Sequence, residues 1–362
     1  AWLDAQPRLF PPDAPASGDA LADLAWTASV GRAHFAHRAA LPFRNAASLR
    51  TVLQEVAGAP DAPDAPDSRA PSKIAFVYTG QGSQWPGMGQ ALYETEPVFR
   101  AVLDRCDEVL RQARGASLLD VMFGRPGAPG GLDDPAWTQP VMYALECALT
   151  ALWDSVGVRP DVVMGHSLGE IAAAQAAGAF SLEDGLRFAA ARGELMAALP
   201  VPGAMAALFD SPEEADAAVR EWNAASGGPE LSVAAYNGAH QVVSGEAQEV
   251  ERLAQRFESQ GVRVSRLRSG AGYHSALVEP ALDGLAAAAQ TIPAAPPALP
   301  LVSNVTGRAM EPGAAHDAAY WRKHARQPVA FSRSVQTLAE MGVDAVIEIG
   351  PHAVLGPMAE LA

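Results

Sequence analysis

The run Val162-Val163-Met164-Gly165-His166-Ser167-Leu168-Gly169-Glu170-Ile171 constrains this chain more than any other stretch. A short β-branched segment ends in glycine, a serine sits at the centre of Gly-x-Ser-x-Gly, and an alanine-rich helical pattern runs from Leu168 to Ala177. Strand, sharp turn and helix in that order are the setting in which the motif becomes a nucleophile elbow. The two glycines let the backbone pass through a cramped turn that lifts the Ser167 hydroxyl clear of the sheet. The new helix aims its free N–H groups and positive end at the same place. A serine held there can be acylated, with donors waiting for the oxyanion. In a chain with 32 glycines the motif alone could arise by chance, so the flanking strand and helix carry the assignment.

The remaining residues are enough to enclose such a site. With 362 residues, 49% of them hydrophobic, the chain can bury a large core and hold more than one folding unit. No apolar run approaches the roughly 20 residues that span a bilayer, and the N-terminus lacks the layout of a signal peptide. The expectation is a soluble, cytoplasmic protein. Its 26 Lys and Arg against 41 Asp and Glu give a net charge of −15, which argues against nucleic acid or an anionic membrane as partner. An anionic substrate would need cations placed locally. Cys106 and Cys147 lie in helical patterns without metal-ligand spacing and read as reduced core residues.

Residues 1–72 read as a small α/β unit. It has amphipathic helices at 21–27 and 46–53, an extended piece at 37–43, and a connector at 57–67 that repeats Ala-Pro-Asp. The main domain is expected at 73–362. Its first strand, at 73–78, is an apolar run suited to a buried parallel sheet. It feeds Thr79-Gly80-Gln81-Gly82-Ser83-Gln84 at the edge where open α/β folds bind ligands. The Walker lysine and a full Gly-x-Gly-x-x-Gly are both missing, which argues against a phosphate cradle. Helices are expected at 98–113 and 141–156, and a third, capped by Ser181, runs to about 199 and carries Arg187, Arg192 and Glu194. Residues 200–268 then give β-α-β-β-α-β, a ferredoxin-like small subdomain. Strands at 300–303 and 345–349 return the chain to the first sheet. The expected fold class is α/β: an α/β-hydrolase-like large subdomain with a parallel sheet (73–199 and 269–362), the inserted lobe, and the N-terminal linker unit.

Eight histidines could supply the base: His34, His37, His166, His240, His274, His316, His324 and His352. Nucleophile and base meet in space, so spacing cannot choose between them. His274 lies in the small-residue loop Ser269-Gly270-Ala271-Gly272-Tyr273-His274-Ser275, directly after the insert. His352, in Ile349-Gly350-Pro351-His352, is the rival, because α/β-hydrolases place their base near the C-terminus.

Five pieces occur together in a telling order: Thr79 to Gln84, Gly165 to Glu170, Ala191-Arg192-Gly193-Glu194-Leu195-Met196, Tyr273-His274-Ser275, and Ser303-Asn304-Val305-Thr306. That is the order of malonyl-CoA:acyl-carrier-protein acyltransferases. The chain resembles the acyltransferase domain of a type I polyketide synthase over essentially its whole length. Residues 1–72, with Gly31-Arg32-Ala33-His34-Phe35, resemble the linker that joins a ketosynthase to such a domain. The resemblance implies Ser167 as nucleophile, His274 as general base, and the N–H groups of Gln81 and Leu168 as oxyanion hole. It also implies Arg192 as clamp for a substrate carboxylate, suited by its planar guanidinium, and Asn304, with a backbone carbonyl, as holder of the histidine. The substrates it implies are malonyl-CoA and the phosphopantetheine thiol of an acyl carrier protein. The adjacent ketosynthase would be a partner, no cofactor would be bound, and the setting would be polyketide antibiotic biosynthesis.

The extender unit is less plain. Malonyl-selective domains of this family usually carry His-Ala-Phe-His at the stretch ending in the base, and methylmalonyl-selective ones Tyr-Ala-Ser-His. Here the stretch is Ala271-Gly272-Tyr273-His274, which matches neither. Aromatic Tyr273 occupies the space an α-methyl needs, and Leu168 stands where methylmalonyl-selective domains have glutamine, so both point to malonyl. Small Ala271 and Gly272 leave room elsewhere for a larger unit. For an acidic carrier protein, basic clusters at Arg263, Arg266 and Arg268 and at Arg322, Lys323, His324 and Arg326 are candidate docking patches. Two rival functions are a thioesterase built on Ser167, an acid and His352, and a non-catalytic scaffold.

Overall fold

The computed structural model describes residues 18–31, 33, 40–58, 72–227, 230–267 and 270–361. They fall into two compact units, Ala1–Ser72 and Lys73–Ala362. In the first, helices Gly18–Val30 and Ala46–Gly58 share a small cluster of Leu21, Leu24, Phe43 and Leu49. Residues 40–43 form no strand, so the expected β element is not found among the described residues. Residues 37–39, the connector from 59 to 67, and most of the Gly31 to Phe35 stretch lie outside them.

In the second unit the apolar runs Ile-Ala-Phe-Val-Tyr and Val-Val-Met-Gly become β1 (Ile74–Tyr78) and β2 (Val162–Gly165), buried along nearly their whole length. Strands without a polar face need cover on both sides, which suits the centre of a parallel sheet. The insert contributes β3 (Gly203–Leu208), β4 (Ser232–Tyr236), β5 (Gln241–Glu246) and β6 (Val264–Arg266). The chain returns as β7 (Leu301–Ser303), β8 (Arg308–Ala309) and β9 (Ala345–Ile349).

The large sheet has the order β8-β7-β2-β1-β9, parallel except for the short edge strand β8. Tyr78 pairs with both Gly165 and Ile349, so three strands end level. The glycine-rich turn, the serine elbow and the loop after Ile349 therefore leave the sheet at one edge. One face packs Phe76, Tyr78, Leu103, Tyr143, Phe188 and Trp321, and the other Val77, Met164, Phe331, Leu338 and Leu355. The small lobe has its own core of Leu208, Val243, Leu253 and Phe257. Its antiparallel order β4-β5-β3-β6 is the ferredoxin-like arrangement expected from the sequence.

Local chemistry explains the helix ends. Ser181 caps Leu182–Ala197 by accepting from the Asp184 N–H. The helix expected from 141 instead begins at Pro135, capped by Asp134, and includes Pro140. Pro140 cannot donate to the Ala136 carbonyl four residues back. Arg114 Nη1 takes that carbonyl instead at 2.7 Å, so the helix continues through the proline. Cys106 and Cys147 are buried free thiols, as the sequence suggested. No described helix is long and apolar enough to cross a membrane.

The two lobes of this unit meet where Gly203 opens β3, since a Cβ there would collide with the backbone of Gly272. Gly203→Ala should overpack this junction and destabilise the unit by roughly 1–3 kcal/mol, read by urea unfolding followed through tryptophan fluorescence. An unchanged midpoint would show the junction to be loose.

Candidate active site

Ser167 has φ of 49° and His274 φ of 55°; among the described residues no other non-glycine has positive φ. Such backbone costs about 1–3 kcal/mol per residue and persists only where the surroundings impose it. At Ser167 the glycines impose it. A Cβ on Gly165 would strike the Glu170 N–H, and one on Gly169 the carbonyls of Tyr78 and Thr79, so the turn packs directly on the end of β1. Helix Gly169–Ala176 starts beneath the serine.

Ser167 Oγ lies 2.7 Å from His274 Nε2. His274 Nδ1 lies 2.8 Å from the Gln327 carbonyl, which can only accept, so Nδ1 carries the proton and Nε2 is free to take one from the serine. Burial, the neighbouring His324, the Arg192 cation and His166 hold the imidazole well below the ordinary histidine value, with the Gln327 bond opposing them more weakly. The ring is thus a neutral base at physiological pH. His352, the rival, is exposed beside Trp85 at a ring separation of 6.0 Å.

Asn304, read as the residue that orients the histidine, forms no hydrogen bond with it among the described residues. Its Oδ1 accepts from the Ser167 N–H at 3.2 Å, and its Nδ2 faces Glu170 and His324. Among the described residues the Gln327 carbonyl is the partner of His274 Nδ1. A main-chain oxygen carries no mark in a sequence, so residue identity could not single out Gln327.

Arg192 is 3% exposed. Gly193 lets its helix close onto the Pro135 carbonyl, bringing Arg192 Nη1 to Gln139 Oε1 at 2.7 Å and Nη2 to Ser167 Oγ at 3.4 Å. Nε has no partner, and no carboxylate pairs with the guanidinium among the described residues. Burial pushes it down to about 10, so it stays charged. A desolvated cation without a counter-ion, beside a nucleophile, is a receptor for an anion. Sequence reasoning missed Gln139, an uncharged neighbour that fixes the guanidinium without neutralising it.

These groups line a cleft of about 470 Å³ together with Gln81, Leu168, Tyr273, His166 and Asn237. The N–H groups of Gln81 and Leu168 form no hydrogen bond among the described residues. His166 reaches the small lobe through Asn237 Oδ1 at 3.2 Å. Tyr273 faces the cleft, with its hydroxyl 3.5 Å from Gln81 Nε2. Ala271 and Gly272, read as room for a larger substrate, do not line it. They are buried against the small lobe, where a Cβ on Gly272 would meet the Gly245 carbonyl.

The basic clusters are largely neutralised. Arg266 pairs with Glu251 and Glu258, Arg322 with Asp283, and Arg326 with Glu279. Arg263 lies over the Phe209 ring, and His324 is buried. Arg268 lies outside the described residues.

The profile of the acyl transferase domain family matches residues 75–360, and one described as CurL-like, PKS C-terminal, matches residues 16–53. The PKS-NRPS hybrid synthetase ATPKS of Aspergillus niger is 37% identical over 92% of this chain, which spans only 18% of that protein. The acyltransferase domain from the second module of the salinomycin polyketide synthase is 38% identical with a TM-score of 0.75, over 87% of this chain and 72% of that one. A malonyl CoA-acyl carrier protein transacylase from Clostridium perfringens is 28% identical with a TM-score of 0.72, over 80% of this chain and 90% of that one.

The buried imidazole sets a pH dependence. The base must be neutral, so acylation of Ser167 should fall only as pH drops through the depressed value of His274. With p-nitrophenyl acetate as acyl donor, the acid limb should therefore have its midpoint below the ordinary value of about 6.5. A midpoint at or above it would contradict the buried, neutral base.

Proposed function

The chain belongs to the acyl transferase domain family, and we propose that it moves a malonyl extender unit from coenzyme A to an acyl carrier protein through an ester on Ser167. The observation that carries this reading is the buried Arg192 guanidinium 3.4 Å from Ser167 Oγ, with no counter-ion among the described residues. Simple acyl groups have no use for it, whereas the free carboxylate of malonyl pairs with it bidentately.

In the first half, His274 Nε2 takes the Ser167 proton as Oγ attacks the thioester carbonyl. The oxyanion faces the N–H groups of Gln81 and Leu168, where one such donor typically lowers the barrier by about 3–4 kcal/mol. Collapse expels the coenzyme A sulfur, which receives the proton from His274. In the second half the phosphopantetheine thiol of the carrier gives its proton to the same nitrogen and attacks the seryl ester, and collapse expels Ser167 Oγ, which takes that proton back from His274. No resident cofactor enters either half. Tyr273 at the cleft fills the space an α-methyl would take, a difference worth about 1–3 kcal/mol, which favours malonyl over methylmalonyl. The likeness to polyketide synthases supports a place beside a ketosynthase in a longer polypeptide.

Incubation with radiolabelled malonyl-CoA followed by a carrier protein tests the reading. Label moving to the carrier supports it, and rapid release of free malonate would make the protein a thioesterase. Arg192→Ala should cut malonyl loading by at least about 100-fold, the scale of a lost charged hydrogen-bonded pair, while acetyl loading holds or rises. Equal losses for both acyl groups would remove Arg192 from the carboxylate site.

A further inference from the structure

We propose that Glu170 is a positioning residue for the nucleophile, acting through Asn304, whose amide it orients to hold the Ser167 peptide in its left-handed turn. This rests on Ser167 being the acylated residue. Glu170 is fully buried in the first turn of helix Gly169–Ala176. Its Oε2 accepts from the Asn304 N–H at 2.7 Å and from Asn304 Nδ2, and its Oε1 accepts from the Tyr320 hydroxyl.

A carboxylate only accepts, so the amide can turn just its nitrogen toward Glu170. Its oxygen must then point the other way, onto the Ser167 N–H. His324 Nε2, 3.0 Å from Asn304 Nδ2, accepts in the same sense. Were the amide reversed, an NH₂ group would confront the serine N–H, donor against donor. Burial favours the neutral acid, but His316 at 3.7 Å, His324 and Tyr320 outweigh it and hold the Glu170 carboxyl below its ordinary value, so the acceptor role is kept. Glu170 does not itself line the cleft, and its carboxylate reaches the Ser167 N–H through Asn304.

The test is single-turnover acylation of Ser167 by malonyl-CoA in Glu170→Ala, Glu170→Gln, Asn304→Ala and the double alanine variant, each checked for folding by circular dichroism. Glu170→Ala should slow acylation at saturating donor about 10- to 100-fold, as misplacement of a nucleophile does, with half-saturation changed less than about threefold. Glu170→Gln, whose amide oxygen can face Asn304, should recover most of the rate. The double variant should be no slower than the slower single one, because both changes remove one linkage. Additive losses, a wild-type rate in Glu170→Ala, or a loss confined to half-saturation would overturn the proposal. Should Glu170→Ala not fold, a wild-type rate in Asn304→Ala overturns it, and a slow Asn304→Ala beside a fast Glu170→Gln supports it. Absence of any ester on Ser167 in the wild-type protein would overturn the functional reading, and this inference with it.

Discussion

A 2.7 Å hydrogen bond between Ser167 Oγ and His274 Nε2 ties together two turns 107 residues apart, each in a backbone conformation that side chains resist. Neither turn is stable by local preference. The serine turn is forced by Gly165 and Gly169 closing on β1, and the histidine loop by its packing on Gly203 and Gly245 and by the Gln327 carbonyl. The inserted lobe has a direct part in this. Its last strand ends a few residues before the loop, so its docking sets where the base stands. Strain at both residues of the candidate pair is what a site preorganised for chemistry would show.

Two buried charged residues lie near that bond, Glu170 and Arg192, and their partners separate their roles. Glu170 is saturated with donors from Asn304 and Tyr320, which is how a scaffold keeps an ionised group out of water. Among the described residues Arg192 has only a neutral glutamine and the serine hydroxyl, with one nitrogen unmatched. An ion left short of partners in a low dielectric gains most when an anion arrives. The partners of the first charge suit a shaping role, and those of the second suit the proposed role in holding an anion.

Much of this was legible in the sequence, because it depends on residue type and local order. The elbow shows as two glycines between a β-branched run and an alanine-rich helix, and the cap at Ser181 and the β-α-β-β-α-β insert follow from pattern. The choice of His274 over His352 was not legible from residues alone, since it depends on which sheet edge each loop reaches. Resemblance supplied it, and the 2.7 Å contact fits it. The errors arose where identity underdetermines orientation. Asn304 was close to the site but turned toward the serine, His324 stood in a basic run but points inward, Ala271 is buried away from the cleft, and Gly272 is small because the Gly245 backbone passes close by. Arg266 counted as basic until two glutamates from the neighbouring helix met it.

Peptide mapping by mass spectrometry of the protein quenched after brief exposure to malonyl-CoA tests the central claim most directly. The account predicts a malonyl ester on the peptide holding Ser167, absent from Ser167→Ala and strongly reduced in His274→Ala. Malonyl found on another residue, or an ester of full yield without His274, would contradict it.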